Sequence, residues 1–244
     1  MKSLKCIFAF ALLLFLLVHC RIEVSAMNTR FSTKSLPEQE KSVFLDNIDL
    51  SLTKEQPKNI AIACFDVNEN GLYAIGQKSG DYKSVCIYSP DGHYQYGYNF
   101  NCSGSFGIEW DDDIINIYFA RSDIIIAIDQ EGEVVDVAKV ENTTANNTYI
   151  NHFIYSTKRT LGDTTYVLRN NMGIFNFFAS SYSQLIATNT TGNTIMLYDV
   201  NSTQFAKILI TFVTVCIFIL VAVLVIIRQF VKTRSGLLYH VIEW

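Results

Sequence analysis

The sequence predicts an all-β domain of antiparallel, four-stranded units, with an N-terminal signal helix before it and one C-terminal transmembrane helix after it. Three observations predict this. Residues 208–227 form a run of twenty without a charge, a Gly or a Pro. As a helix such a run spans roughly 30 Å, the hydrocarbon thickness of a bilayer. Between residues 59 and 200, short runs rich in Ile, Val, Tyr and Phe recur, separated by Gly, Asp and Asn turns. Three segments there share one form, an apolar strand, a polar turn ending in Gly and a second strand: VCIYSPDGHYQYGY (85–98), IAIDQEGEVVDVA (126–138) and IATNTTGNTIMLYDV (186–200).

In chain order, residues 1–26 read as a secretory signal. Lys2 and Lys5 form a positive start, 6–18 is a short apolar core, and Val24-Ser25-Ala26 is a small-residue cleavage site, so the mature chain would begin at Met27. Residues 27–206 are then translocated, 208–227 spans the membrane, and 228–244 is a cytoplasmic tail. Arg228, Lys232 and Arg234 follow the span closely and only Lys207 precedes it, which fits the positive-inside rule. The tail carries YHVI (239–242), a Tyr-x-x-apolar sorting pattern.

Residues 27–206 hold twelve Lys and Arg against twenty-one Asp and Glu. That acidic balance argues against nucleic acid and against anionic lipid headgroups as partners. Outside the signal and the span only Cys64, Cys86 and Cys102 remain, an odd number. Cys64 and Cys86 fall on the first and third strands of one unit, two strand spacings apart and too far for a bridge. Buried thiols acting as small apolar side chains are expected, with a Cys86–Cys102 bridge as the alternative.

Residues 27–58 read as a polar arm, in which DNIDLSL (46–52) alternates enough for one strand. The first unit is expected at 59–67, 71–77, 83–89 and 93–100. The second is expected at 105–110, 114–120, 123–129 and 133–140, and a looser third at 149–156, 164–169, 183–188 and 194–200. Gly92, Gly132 and Gly192 are placed to take positive φ in hairpin turns. In IINIYFA, Ile115, Ile117 and Phe119 share one face while Ile114 and Tyr118 take the other. A strand apolar on both faces belongs in a sheet stacked between two layers. Four antiparallel strands in about 40 residues is the size of one β-propeller blade. A two-sheet sandwich is the alternative.

The units FDVNENGLYAIG and IYSPDGHYQYGY resemble repeats of NHL-like β-propellers, in which a strand ends in Asp, a turn carries Gly and the next strand opens on an aromatic or β-branched residue. The resemblance covers about 59–200. It implies a propeller fold and a habit of binding, and carries over no catalytic residue. Three units, or four if DNIDLSL adds one, are fewer than the four to eight blades that usually close a ring. Open apolar end faces are therefore expected, completed by a homodimer or another partner.

No catalytic, cofactor-binding or metal-binding set is expected. Asp111, Asp112 and Asp113 sit where a turn belongs, with Ca²⁺ as the alternative use. His93 and His152 have no zinc spacing, and nucleotide and hydrolase fingerprints are missing. Tyr94, Tyr96 and Tyr98 are expected on one face as an aromatic ladder, for packing or as a binding platform. Asn101, Asn142, Asn146, Asn189 and Asn201 open N-x-S/T sequons, glycan sites in a eukaryote. The expected role is a non-catalytic binding or accessory module for a protein or glycan partner. The alternatives are a carbohydrate-acting hydrolase and a shortened propeller remnant without activity.

Overall fold

The computed structural model describes residues 27–58 and 60–241, with side chains through Phe230. The signal at 1–26 and the end of the tail from Ile242 lie outside the described residues. The chain opens with β1 (Thr33–Ser35), α1 (Glu38–Ile48) and β2 (Ser51–Thr53). Three antiparallel sheets follow. The first contains β3 (Ile62–Val67), β4 (Tyr73–Ser79), β5 (Tyr82–Tyr88) and β6 (Tyr94–Asn101). The second contains β7 (Phe106–Asp111), β8 (Ile114–Phe119), β9 (Ile124–Ile128) and β10 (Val134–Val140). Then come α2 (Thr144–Tyr149), which runs into a π-helical turn (Ile150–Ile154), and the third sheet. That sheet contains β11 (Lys158–Leu161), β12 (Thr164–Arg169), β13 (Gln184–Asn189) and β14 (Thr194–Asp199), with a 3₁₀ turn (Gly173–Phe178) between β12 and β13. α3 (Asn201–Val241) ends the described chain.

Within each sheet the four strands pair in chain order, so each first strand (β3, β7, β11) lies at a sheet edge. The opposite edges of the first two sheets gain a strand from residues 27–58, β2 on β6 and β1 on β10. The expected polar arm is therefore built into the fold. α1 takes up the first part of the expected strand at 46–52, because Phe44, Leu45 and Ile48 pack together against the core. Pro37 precedes it, and Glu38 and Glu40 lie in its first turn, where the helix dipole favours acids. The strand expected at 149–156 is also absent. Its residues complete α2 and the π-helical turn, and β11 instead begins at Lys158.

The sheets stack with the first in the middle. One face of the first sheet packs Cys64, Val85, Tyr98 and Phe100 against Ile108, Ile117 and Ile126 of the second. Its other face packs Phe65, Tyr73, Ile75 and Tyr88 against Tyr166, Leu168 and Leu185 of the third. β8 divides as its pattern predicts, with Ile115, Ile117 and Phe119 in the first cluster and Tyr118 on the opposite face. That opposite face of the second sheet is covered by the chain's own Met27, Phe31 and Ile154. The outer face of the third sheet is largely polar, with hydroxyl pairs Thr160–Thr165 and Thr188–Thr194 and a row Arg169–Gln184–Asp199. The end faces thus differ from the open apolar ones expected.

The turns follow one scheme. Gly92, Gly132 and Gly192 have φ of 92°, 87° and 85°. In each the glycine N–H donates to the residue three back, Ser89, Asp129 or Asn189. That residue's side chain in turn accepts the N–H of His93, Glu133 or Asn193. One register detail overturns an expectation. Ile87 pairs with Tyr96 but Tyr88 pairs with Tyr94, so a bulge intervenes. The bulge turns Tyr94 to the face opposite Tyr96 and Tyr98. The three tyrosines do not form one ladder.

Close packing also explains two glycines whose φ is unremarkable. A Cβ on Gly76 would lie 2.4 Å from Cys64 Sγ, and one on Gly107 would lie 2.0 Å from Ile154 Cγ2. Ile154 is 1% exposed and seats the helical segment on β7 through this gap. Gly107→Ala is expected to destabilise the chain by about 1–3 kcal/mol through overpacking. Denaturant unfolding of the full chain in detergent measures this. Combining it with Ile154→Ala should cost less than the sum of the two, since the second change removes the clash.

Candidate functional site

The first strands of the three sheets meet at one polar cleft of about 530 Å³. β3 supplies Asp66, β7 supplies Glu109, Trp110 and Asp111, and β11 supplies Arg159. Residues 28–30 and the helical residues Tyr149 and Phe153 close one side. Glu69, Asp112 and Asp113 add an acidic rim from the turns after β3 and β7.

Asp66 is 4% exposed and joins all three sheets. Its Oδ2 accepts the Trp110 N–H at 2.8 Å, from the second sheet. Its Oδ1 accepts Arg159 Nε at 2.8 Å, from the third. Arg159 also donates to the Phe153 carbonyl at 2.7 Å and stacks over the Phe153 ring at 4.1 Å. Burial pushes the Asp66 carboxyl above its ordinary range, and Arg159 and the Trp110 N–H pull against that.

Glu109 is equally buried, at 4% exposure. It accepts hydrogen bonds from Thr29 Oγ1 and the Tyr149 hydroxyl, and from Asn116 Nδ2 at 3.3 Å. One carboxylate thereby holds the N-terminal segment, α2 and the second sheet together. Burial again pushes it up, while those three donors lower it. For an acid whose folded pKa is raised, the folded state binds more protons than the unfolded chain. The associated stability is full below the ordinary carboxylate value and is lost as pH rises through the raised one. Glu109→Gln is therefore expected to flatten the loss of stability between that range and neutral pH. Urea unfolding across a pH series reads the difference between variant and parent.

The residues singled out from sequence are dispersed. Of the three acids expected in a turn, Asp112 and Asp113 form it, with Asp112 at φ 51°, and Asp111 ends β7, paired with Ile114. Among the described residues no group of three His, Cys, Asp and Glu side chains could hold a metal ion. Cys64, Cys86 and Cys102 are free. Cys64 and Cys86 pack on opposite faces of the first sheet, and burial pushes both thiols up to about 12. They are protonated at neutral pH and pack as small apolar groups, as expected.

The five sequon asparagines differ sharply. Asn101, Asn142 and Asn189 are exposed. Asn146 is 2% exposed, and its Nδ2, the atom a glycan would take, donates to the carbonyls of Ser32 at 2.9 Å and Glu141 at 2.7 Å. Asn201 Nδ2 donates to the Asn171 carbonyl at 2.8 Å.

Sequence reading missed Asp66, Arg159, Thr29 and Tyr149, and took Glu109 only as the acid just before the Asp111–Asp113 run. The available signal was one charged residue inside an otherwise two-faced apolar strand, as in IACFDV and FGIEW. A charge there must find partners or be expelled.

No protein-family model matches the chain, and no curated protein matches it. The fold itself defines a sheet-rich chain in which, among the described residues, one helix, Asn201–Phe230, is long and apolar enough to cross a membrane. None of that helix's most apolar window is buried against the rest of the chain, as a core helix would be.

Proposed function

We propose that this is a single-pass membrane protein whose extracytoplasmic domain is a short, self-capped, propeller-like stack acting as a non-catalytic binding module for a partner protein. The observation that carries this reading is the cleft where the three first strands meet. Its buried acids Asp66 and Glu109 are engaged by donors from every neighbouring segment, which makes it a fixed depression. Its rim, with Glu69, Asp111, Asp112 and Asp113 against Arg30, is acidic and suits a Lys- or Arg-bearing segment. The propeller-like reading is supported by the three consecutive meanders, each beginning at the edge strand that lines the cleft. It is supported also by the shared turn scheme. Residues 27–206 face outward and 228–244 the cytoplasm, from the signal at 1–26 and the cluster Arg228, Lys232 and Arg234. Completion by a second copy has less support, because one end face is capped internally and the other is largely polar.

A second reading, a hydrolase acting on carbohydrate, is favoured by one observation. Two carboxyls that burial pushes up, Asp66 and Glu109, lie in the same cleft. Full chain in lipid nanodiscs, titrated with a fluorescent Lys-rich peptide and separately incubated with chromogenic glycosides, discriminates the two. Peptide binding that weakens with salt and is lost on replacing Asp111, Asp112 and Asp113 by Asn supports the binding module. Glycoside turnover abolished by Glu109→Gln supports the hydrolase, and neither response refutes both.

If the chain is made in a eukaryotic secretory pathway, glycans are expected on Asn101, Asn142 and Asn189. Asn146 should stay bare, because a glycan there would take one of the two Nδ2 hydrogens that bond the N-terminal segment and the turn before α2, at a residue only 2% exposed. Glycopeptide mass spectrometry of the folded chain checks this site by site.

A further inference from the structure

The 3₁₀ turn Gly173–Phe178, sequence GIFNFF, presents three of its four large apolar side chains to the surface. Ile174 is 83% exposed, Phe177 89% and Phe178 57%. Among the described residues no other large apolar side chain outside α3 is as exposed as Ile174 and Phe177. Three residues make one turn of a 3₁₀ helix, so Ile174 and Phe177 lie on the same side. The opposite side of the turn rests on α3. The Phe175 ring lies 5.4 Å from Phe205 and 5.9 Å from Phe212, and Phe178 lies 6.2 Å from Phe212. Phe212 is the fifth residue of the apolar run that starts at Ile208, about 6 Å inside that run at helical rise.

The turn is held at this level. Asn201, at the start of α3, donates from Nδ2 to the Asn171 carbonyl at 2.8 Å and accepts the Asn171 N–H at 3.1 Å. Asn176 within the turn accepts the Met172 N–H at 2.9 Å. The apolar tip cannot withdraw toward the third sheet without breaking these bonds.

We propose that Gly173–Phe178 is a second membrane contact, an aromatic anchor seated in the interfacial layer of the same bilayer that α3 crosses. The occupant is lipid because the exposed patch is continuous with the apolar helix and contacts it inside its apolar run. Aromatic rings at that depth sit where a bilayer accepts them. The anchor fixes the tilt of the sheets over the membrane, where a single helix would leave the domain free to swing. This rests on α3 being the membrane span.

The test uses the full chain in nanodiscs with lipids brominated either near the headgroup or near the chain end. Emission is compared with that of the parent, which carries Trp110 and Trp244. Phe177→Trp is expected to add emission that headgroup-proximal bromine quenches more strongly than chain-end bromine. Ile217→Trp, at mid-run, should show the reverse. An unquenched Phe177→Trp beside a quenched Ile217→Trp overturns the anchor and leaves the span standing. If neither is quenched, the span fails and the anchor with it.

Discussion

Arg159→Met is expected to destabilise the chain by about 3–5 kcal/mol, the usual consequence of stripping one partner from a buried ion pair. Arg159 and Asp66 have side chains 8% and 6% exposed, so little water replaces the lost contact. Three links go together. The Nε bond to Asp66 joins the third sheet to the first, the bond to the Phe153 carbonyl joins it to the helical segment, and the ring contact adds to the latter. With Arg159 gone, the main pull lowering the Asp66 carboxyl disappears and burial is opposed only by the backbone N–H groups of Trp110 and Val67. The Asp66 carboxyl is then pushed further up, so the variant should lose further stability as pH rises above the ordinary carboxylate range. Asp66→Asn in the same chain should recover part of the loss and remove that slope. Arg159→Lys should stay well below wild type, because an ammonium lacks the planar fork that reaches both Asp66 and Phe153. Urea unfolding of the four chains in detergent at two pH values measures all of this. A loss below about 1 kcal/mol for Arg159→Met would show that the first and third sheets are joined by packing alone.

The strands were legible where local pattern and tertiary demand agreed. β7 to β10 read directly, because two-faced runs such as IINIYF and IIIAI meet polar turns at each end. Elsewhere a weak local preference gave way to a tertiary one. YINHFIY (149–155) is rich in Ile, Tyr and Phe like a strand, yet its apolar residues fall in pairs at helical spacing, and Ile154 is drawn over Gly107 and Tyr149 to Glu109, which a helical turn satisfies. Thr143, whose side chain accepts the Asn146 N–H at 3.1 Å, was a readable start signal. The bulge at Tyr88 leaves no trace in an alternating YQYGY, since either register keeps a tyrosine inward. The cleft was illegible for a further reason. Asp66, Glu109 and Arg159 lie 93 residues apart at the extremes, and only the stacking order of the sheets joins them.

Phe100→Ala is expected to cost about 3–5 kcal/mol, the range for a fully buried phenylalanine. Phe100 is 1% exposed, on the last strand of the first sheet's meander. Its ring meets Phe106 at 5.2 Å and Phe119 at 5.4 Å, both near edge-to-face. Those two rings pair across β7 and β8, and Phe119 is backed by Phe44 of α1 at 5.1 Å. The neighbours are fixed by strand pairing and cannot easily collapse into the space left. Phe100→Leu should cost clearly less, since it leaves a smaller void. This cluster lies at the end of the first–second sheet interface away from the cleft. Phe106 and Trp110 are four residues apart on β7, or about 13 Å along a strand. The phenylalanine cluster and the Asp66 network thus clamp the same two sheets at opposite ends without a shared partner. Such sites add, so Phe100→Ala with Arg159→Met should equal the sum of the single losses within about 0.5 kcal/mol. Strong non-additivity would mean that the two ends communicate through the stack, and that loosening the core also reshapes the cleft. The accessible Phe177 serves as the contrast. Phe177→Ala should leave stability in detergent within about 0.5 kcal/mol of wild type, since the residue is 89% exposed and its one ring contact, with Phe178 at 5.5 Å, is itself at the surface.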